Sequence, residues 1–193
     1  MLRFTDYGYL PPGDHEMTFH QLENSVLIVG EPWMSGWDEE WRMELLTNLK
    51  TLVQPLWELG IEDIWIDGSF CSTKSDPRDI DGFYSLPLPD EVMEIQDDLQ
   101  RRRTIIAYYS ILADRLNQYF NEPIWDLWEK VIPDEYGMMQ TLMWHRYRVD
   151  LFPSAWGIYA GLLYPGGRLY KFDEFFRKDR FGIEKGLIKL KRG

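Results

Sequence analysis

The chain has 193 residues, 45% hydrophobic content and nine tryptophans, enough for one well-packed domain and, on length, for one only. A formal net charge of −11 argues against indiscriminate binding to nucleic-acid backbones or anionic membrane surfaces. The lone cysteine, Cys71, excludes an internal disulfide. With no charged-then-apolar leader and no membrane-length apolar run, it leads us to expect a cytoplasmic protein without membrane contact.

Taken in order, Met1 to Glu31 reads as mostly irregular, with a turn at Pro11-Pro12-Gly13 and a short strand over Ser25 to Val29. His15 and His20 lack the companions of a metal site and read as ordinary. Asp38 to Leu59 is predicted helical, because Trp41, Leu45, Leu49, Leu52 and Leu56 form one stripe. Asp38 suits its N-cap, Pro55 should kink or restart it, and Gly60 should end it. A strand through Ile64, Trp65 and Ile66 then runs into Gly68-Ser69. A polar loop follows and leads to Asp79-Ile80-Asp81, which opens a second apolar run through Phe83 and Tyr84.

Pro87 and Pro89 break the chain before a long helix predicted from about Asp90 to Phe120, on which Arg101-Arg102-Arg103 reads as a solvated face near Asp97 and Asp98. A short helix over Pro123 to Lys130 should turn Trp125 and Trp128 inward. Trp144 to Phe152 is rich in strand formers and stops at Pro153, so it reads as a strand with Arg146, Arg148 and Asp150 on one face. A turn at Pro165-Gly166-Gly167, a helix near Phe172 to Phe176 and an edge strand over Gly186 to Leu190, guarded by lysines, complete the chain. The fold class expected is α/β (α+β): one domain over residues 1–193, a mixed sheet packed against helices, with additional helices after the hairpin that carries Asp79 and Asp81.

The chemistry concentrates in Asp67 to Tyr84. Residues two apart on a strand share a face, so Asp79 and Asp81 project together and repel unless a positive charge lies between them. A hard divalent cation with oxygen ligands is the usual answer. Gly68 lets a ligand approach the backbone and Ser69 offers two donors, a combination suited to phosphate. Asp150, between Val149 and Leu151, is the candidate third acid and would complete a second metal about 3.5–4 Å from the first. Phe83 or Tyr84 could stack on a base.

The run GSFCSTKSDPRDID (residues 68–81) with RVDLFP (148–153) resembles the polymerase-β-type nucleotidyltransferase superfamily. More narrowly, it is similar to small bacterial and phage nucleotidyltransferase-like proteins sharing G-S-F-x-[ST]-x-K-x-x-P-x-D-I-D. Ser72 fills the hydroxyl position, and GYLPPGDHEMTF and GIEKGLIKL extend the likeness over most of the chain. The resemblance implies a metal-dependent transferase that moves a nucleoside monophosphate, AMP first among them, from ATP or another nucleoside triphosphate to an acceptor. Asp79, Asp81 and Asp150 would be both catalytic and metal-binding, holding two Mg2+ ions, or Mn2+ in their place. Gly68, Ser69, Thr73, Lys74, Arg78 and Arg148 would bind the nucleotide. The acceptor (a small molecule, a protein or an RNA) stays open, because Phe70 to Lys74 follows Gly-Ser where an Arg is common in the antibiotic-modifying and antitoxin-type branches. The alternative is a non-catalytic nucleotide-binding or toxin–antitoxin component with a protein partner. A metal nuclease fits less well, since no Glu-x-Lys follows Asp81.

Overall fold

Short runs of β-branched and aromatic residues build a mixed sheet in the computed structural model, which describes residues 2–127, 132–156, 158–159 and 170–193. In chain order the first elements are β1 (Gly13–Thr18), α1 (Phe19–Glu23), α2 (Val26–Val29), α3 (Glu39–Glu58), β2 (Ile64–Asp67) and β3 (Ile80–Ser85). A single 3-10 turn, Ser69–Cys71, lies between β2 and β3. Then come α4 (Asp90–Met93), α5 (Asp98–Asn117), β4 (Ile132–Pro133), β5 (Met139–Gln140) and α6 (Leu142–Tyr147). The last three are β6 (Val149–Ser154), α7 (Phe172–Phe176) and β7 (Gly186–Lys191).

Five strands form one sheet in the order β1-β7-β2-β3-β6, and β4 and β5 make a separate hairpin. β1 runs parallel to β7, β7 antiparallel to β2, β2 antiparallel to β3, and β3 parallel to β6. The register lines up Trp65, Phe83 and Phe152 across three neighbouring strands. Trp65 and Phe83 stack at 5.0 Å, and α7 lays Phe176 on Phe83 (5.6 Å) and Phe172 on Phe152 (4.8 Å). Such ring stacks contribute about 0.5–1.5 kcal/mol each beyond their buried area. Two residues along, the same register lines up Asp67, Asp81 and Asp150. Because alternate residues share a face, this carboxylate row continues the face that bears the aromatic row.

The fold expected from the sequence holds at the level of a mixed sheet packed against helices, with helices following the β2–β3 hairpin. The α3 helix matches closely: the Asp38 carboxylate accepts the Trp41 N–H at 2.9 Å, Leu45, Leu49, Leu52 and Leu56 are buried, and the helix runs through Pro55.

Elsewhere local chemistry corrects the reading. Residues 1–31 are not mostly irregular, and Val26–Val29 is a helical turn capped by the Ser25 hydroxyl and ended by Gly30 at φ 67. The long helix from Asp90 to Phe120 is two, α4 and α5, with Asp97 recapping the second. Trp144 to Tyr147 is helical because the Thr141 hydroxyl caps α6, and Arg148 then reverses the backbone at φ 52. Strand β6 continues through Pro153, tolerated because β6 lies at the sheet edge. Strand β7 is not an edge but is paired on both sides, by β1 and β2. Trp125 is buried as expected, whereas Trp128 to Lys130 and the Pro165-Gly166-Gly167 turn lie outside the described residues. No described helix is long and apolar enough to cross a membrane.

Candidate functional site

Asp67 closes β2, Asp81 lies near the start of β3, and Asp150 lies near the start of β6. Asp81 is the register partner of both others, so three acids far apart in sequence become neighbours. Asp79 precedes β3 by one residue. Between β2 and β3 the chain turns at Gly68 (φ 79), where a Cβ would sit 2.5 Å from Asp81 Oδ2. Gly68 is thus required both by its backbone conformation and by the approach of the Asp81 carboxylate. Asp79, Asp81 and Asp150 therefore lie close enough for the charges of the first and last to act on Asp81, Gly68 lies against the Asp81 carboxylate, and Ser69 follows in the turn.

The carboxylates are held separately. The Trp144 indole donates to Asp79 Oδ2 at 2.8 Å, and the Thr141 hydroxyl donates to Asp150 Oδ1 at 2.7 Å. The Lys185 ammonium, just before β7, pairs with Asp67 Oδ2. Burial pushes the Asp81 carboxyl well above the usual carboxylate range; the negative charges of Asp79, Asp150 and Asp67 push it further, against Lys185. Burial also raises Asp67, opposed by the ammonium and by the Gly68 N–H.

This arrangement corrects the cofactor expectation. Among the described residues no group of three or more His, Cys, Asp or Glu side chains could hold a metal ion, so the two-Mg2+ (or Mn2+) centre on Asp79, Asp81 and Asp150 is not present. The physical reason is that the Trp144 indole and the Thr141 hydroxyl already hold Asp79 and Asp150, while the Lys185 ammonium, paired with Asp67, lies close enough to Asp81 to supply counter-charge that the expectation assigned to a metal.

Of the basic candidates, Lys74 is exposed beside the turn. Arg78 is drawn off to Asp134 (3.4 Å) and Glu135 (3.3 Å) and lies over the Tyr136 ring. The Arg148 guanidinium lies 3.9 Å from the centre of the Trp144 ring, while Arg146 sits on α6 and pairs with Glu122 instead of sharing a strand face with Asp150. Thr73 donates its N–H to Gly8 O (2.9 Å), and Gly8 packs against its hydroxyl. Phe83 and Tyr84 belong to the core, the first between Trp65 and Phe176, the second against Trp125, so neither is available to a base. Sequence reasoning missed Asp67, Lys185, Thr141, Trp144 and Arg42. Asp67 stood in plain view one residue before Gly68, but its place beside Asp81 depends on register, which the motif does not state.

Residues 2–191 match the family described as "Family of unknown function (DUF6932)", and the chain belongs to that family. No curated protein and no solved structure matches the chain.

Proposed function

We propose that this chain is a nucleotidyltransferase-like protein of the cytoplasm, folded as one domain, that takes a nucleoside triphosphate at the Gly68–Ser69 turn and passes its nucleotidyl group to an acceptor hydroxyl or phosphate. The observation that carries the reading is the register aligning Asp81 with Asp67 and Asp150 at the mouth of that turn. In the reaction the acceptor oxygen bonds to the α-phosphorus, the bond from that phosphorus to the bridging oxygen breaks, and pyrophosphate departs. The acceptor proton passes to a carboxylate of the row, Asp150 being the one on the open edge of the sheet. Ser69, Thr73 and Lys74, on the segment that leaves Gly68, would meet the phosphates, and Arg148, stacked on the Trp144 ring that bonds Asp79, would add positive charge.

The test is to supply each of the four nucleoside triphosphates, labelled at the α-phosphate, with small alcohols, a tyrosine peptide or an RNA end, and to follow pyrophosphate and label. Wild-type protein should release pyrophosphate and Asp81→Asn should not, with its fold intact. No triphosphate binding by the wild type overturns the reading. A second reading, nucleotide binding without transfer in a toxin–antitoxin or sensor component, is favoured by one observation: Trp144 and Thr141 occupy oxygens of Asp79 and Asp150. Binding without pyrophosphate release across all acceptors would select it.

A further inference from the structure

Arg42 lies on α3, a helix whose other buried residues are apolar, and its side chain is wholly buried. Among the described residues its guanidinium meets no carboxylate. It donates to four backbone carbonyls: Leu27 O at 2.8 Å, Phe70 O at 2.8 Å, Ser72 O at 3.2 Å and Lys74 O at 2.5 Å. The Trp37 ring lies 3.7 Å from the guanidinium carbon and the Phe70 ring 5.4 Å. Burial lowers its pKa to about 10, so it remains charged at neutral pH.

Three of those carbonyls belong to alternate residues of one short loop, the one that leaves the Gly68–Ser69 turn and carries Thr73 and Lys74. Within a peptide plane the N–H points opposite to the carbonyl. Aiming the carbonyls of Phe70 and Ser72 at Arg42 therefore aims the N–H groups of Cys71 and Thr73 away from it. They close on Gly68 O (3.2 Å) and Gly8 O (2.9 Å), which fastens the loop to the turn on one side and to the N-terminal segment on the other. A buried charge is costly unless its donors are met. Here both terminal nitrogens are met by carbonyls while Nε has no partner among the described residues, so a loop that moved those carbonyls away would leave the whole guanidinium unmet. With no carboxylate beside it, the positive charge under the loop stays uncancelled and is felt by an anion on the outer side. A planar fork spans several carbonyls at once, which a single ammonium does not.

We propose that Arg42 is a positioning residue: it fixes the Phe70–Lys74 loop, and through it the Gly68–Ser69 turn, in the conformation that receives the phosphates of the ligand. This role rests on the nucleotide reading for the identity of the ligand but not for the ordering of the loop. The test compares wild type, Arg42→Lys and Arg42→Gln by amide hydrogen exchange, and by calorimetric binding of inorganic tripolyphosphate.

Folded Arg42→Lys should exchange the amides of residues 69–75 at least tenfold faster, with β3 and β6 unchanged, and should bind tripolyphosphate about tenfold more weakly. A merely structural role would lower the unfolding temperature without moving the affinity of the folded protein, and that result overturns the proposal. So does exchange at 69–75 that stays at the wild-type rate. If the wild type binds no tripolyphosphate, the nucleotide reading fails and the exchange data alone decide whether Arg42 orders the loop. If neither variant folds, wild-type exchange in sub-denaturing urea decides. The amides of 69–75 should open together with the first turns of α3, and their opening earlier overturns the role.

Discussion

Asp67 and Lys185 form the buried ion pair of the candidate site, their side chains 2% and 13% exposed, and its two halves are separated by most of the chain. Removing one member of such a pair strands the other charge in a poor dielectric, at a cost of roughly 3–5 kcal/mol. Lys185→Met should lose about that much stability in urea denaturation, and adding Asp67→Asn should restore a large part of it. Asp81 behaves in the opposite sense. Its carboxyl is raised in the folded state, so between the ordinary carboxylate range and that raised value the native protein holds more protons than the unfolded chain. Its contribution therefore falls as pH rises through that window and stays low above it. Asp81→Asn carries no such penalty. The variant should be more stable than wild type at pH 7, with the difference shrinking as the pH is lowered toward 4, as thermal unfolding at several pH values would show.

At the scale of elements, the arrangement depends on β2, β3 and β6 holding one register, and Gly82 at the middle of β3 guards it. A Cβ there would lie 2.5 Å from the Trp65 carbonyl oxygen and 2.9 Å from Leu151 Cδ2, a neighbour on each flanking strand. Gly82→Ala should cost roughly 1–3 kcal/mol by overpacking, measured as a fall in Tm, and should weaken triphosphate binding along with it. The hairpin itself was legible in the sequence, because Gly68, Ser69, Asp79 and Asp81 sit within one stretch of 14 residues that joins two apolar runs. Helix α3 was legible for the same local reason, a carboxylate cap followed by an apolar stripe. What escaped was decided by side chains acting across a turn or by strand order. Val26–Val29 has the composition of a strand and becomes helical through Ser25, and Trp144–Tyr147 does so through Thr141. Nothing in GLIKL states that β7 slots between β1 and β2. The metal expectation failed at this level too: spacing suggested three acids in one place, but not that Thr141, the cap of α6, and Trp144 within it would bind Asp150 and Asp79, nor that the residue before β7 would bring an ammonium to Asp67.

For the whole molecule, the decisive feature is that β7, the last strand, is inserted between the first strand and β2. One hydrophobic cluster takes in Leu10 at one end of the chain, Leu190 at the other, and Leu46, Ile66, Phe83, Leu151 and Phe176 between them. Neither β1 nor β2 has its full set of sheet partners until β7 is in place, and Lys185, which neutralises Asp67, arrives with it. Without its final strand the sheet leaves β1 with no partner and β2 paired on one side only. Far-UV circular dichroism and tryptophan fluorescence should therefore report the same urea midpoint, a single cooperative transition. Truncation before Gly186 should abolish that transition instead of lowering its midpoint. Two separated midpoints in the full chain would mean that the segment after β3 folds as a unit of its own, and the candidate site, which draws on β2, β3, β6 and the approach to β7, would then be assembled only after both parts had docked.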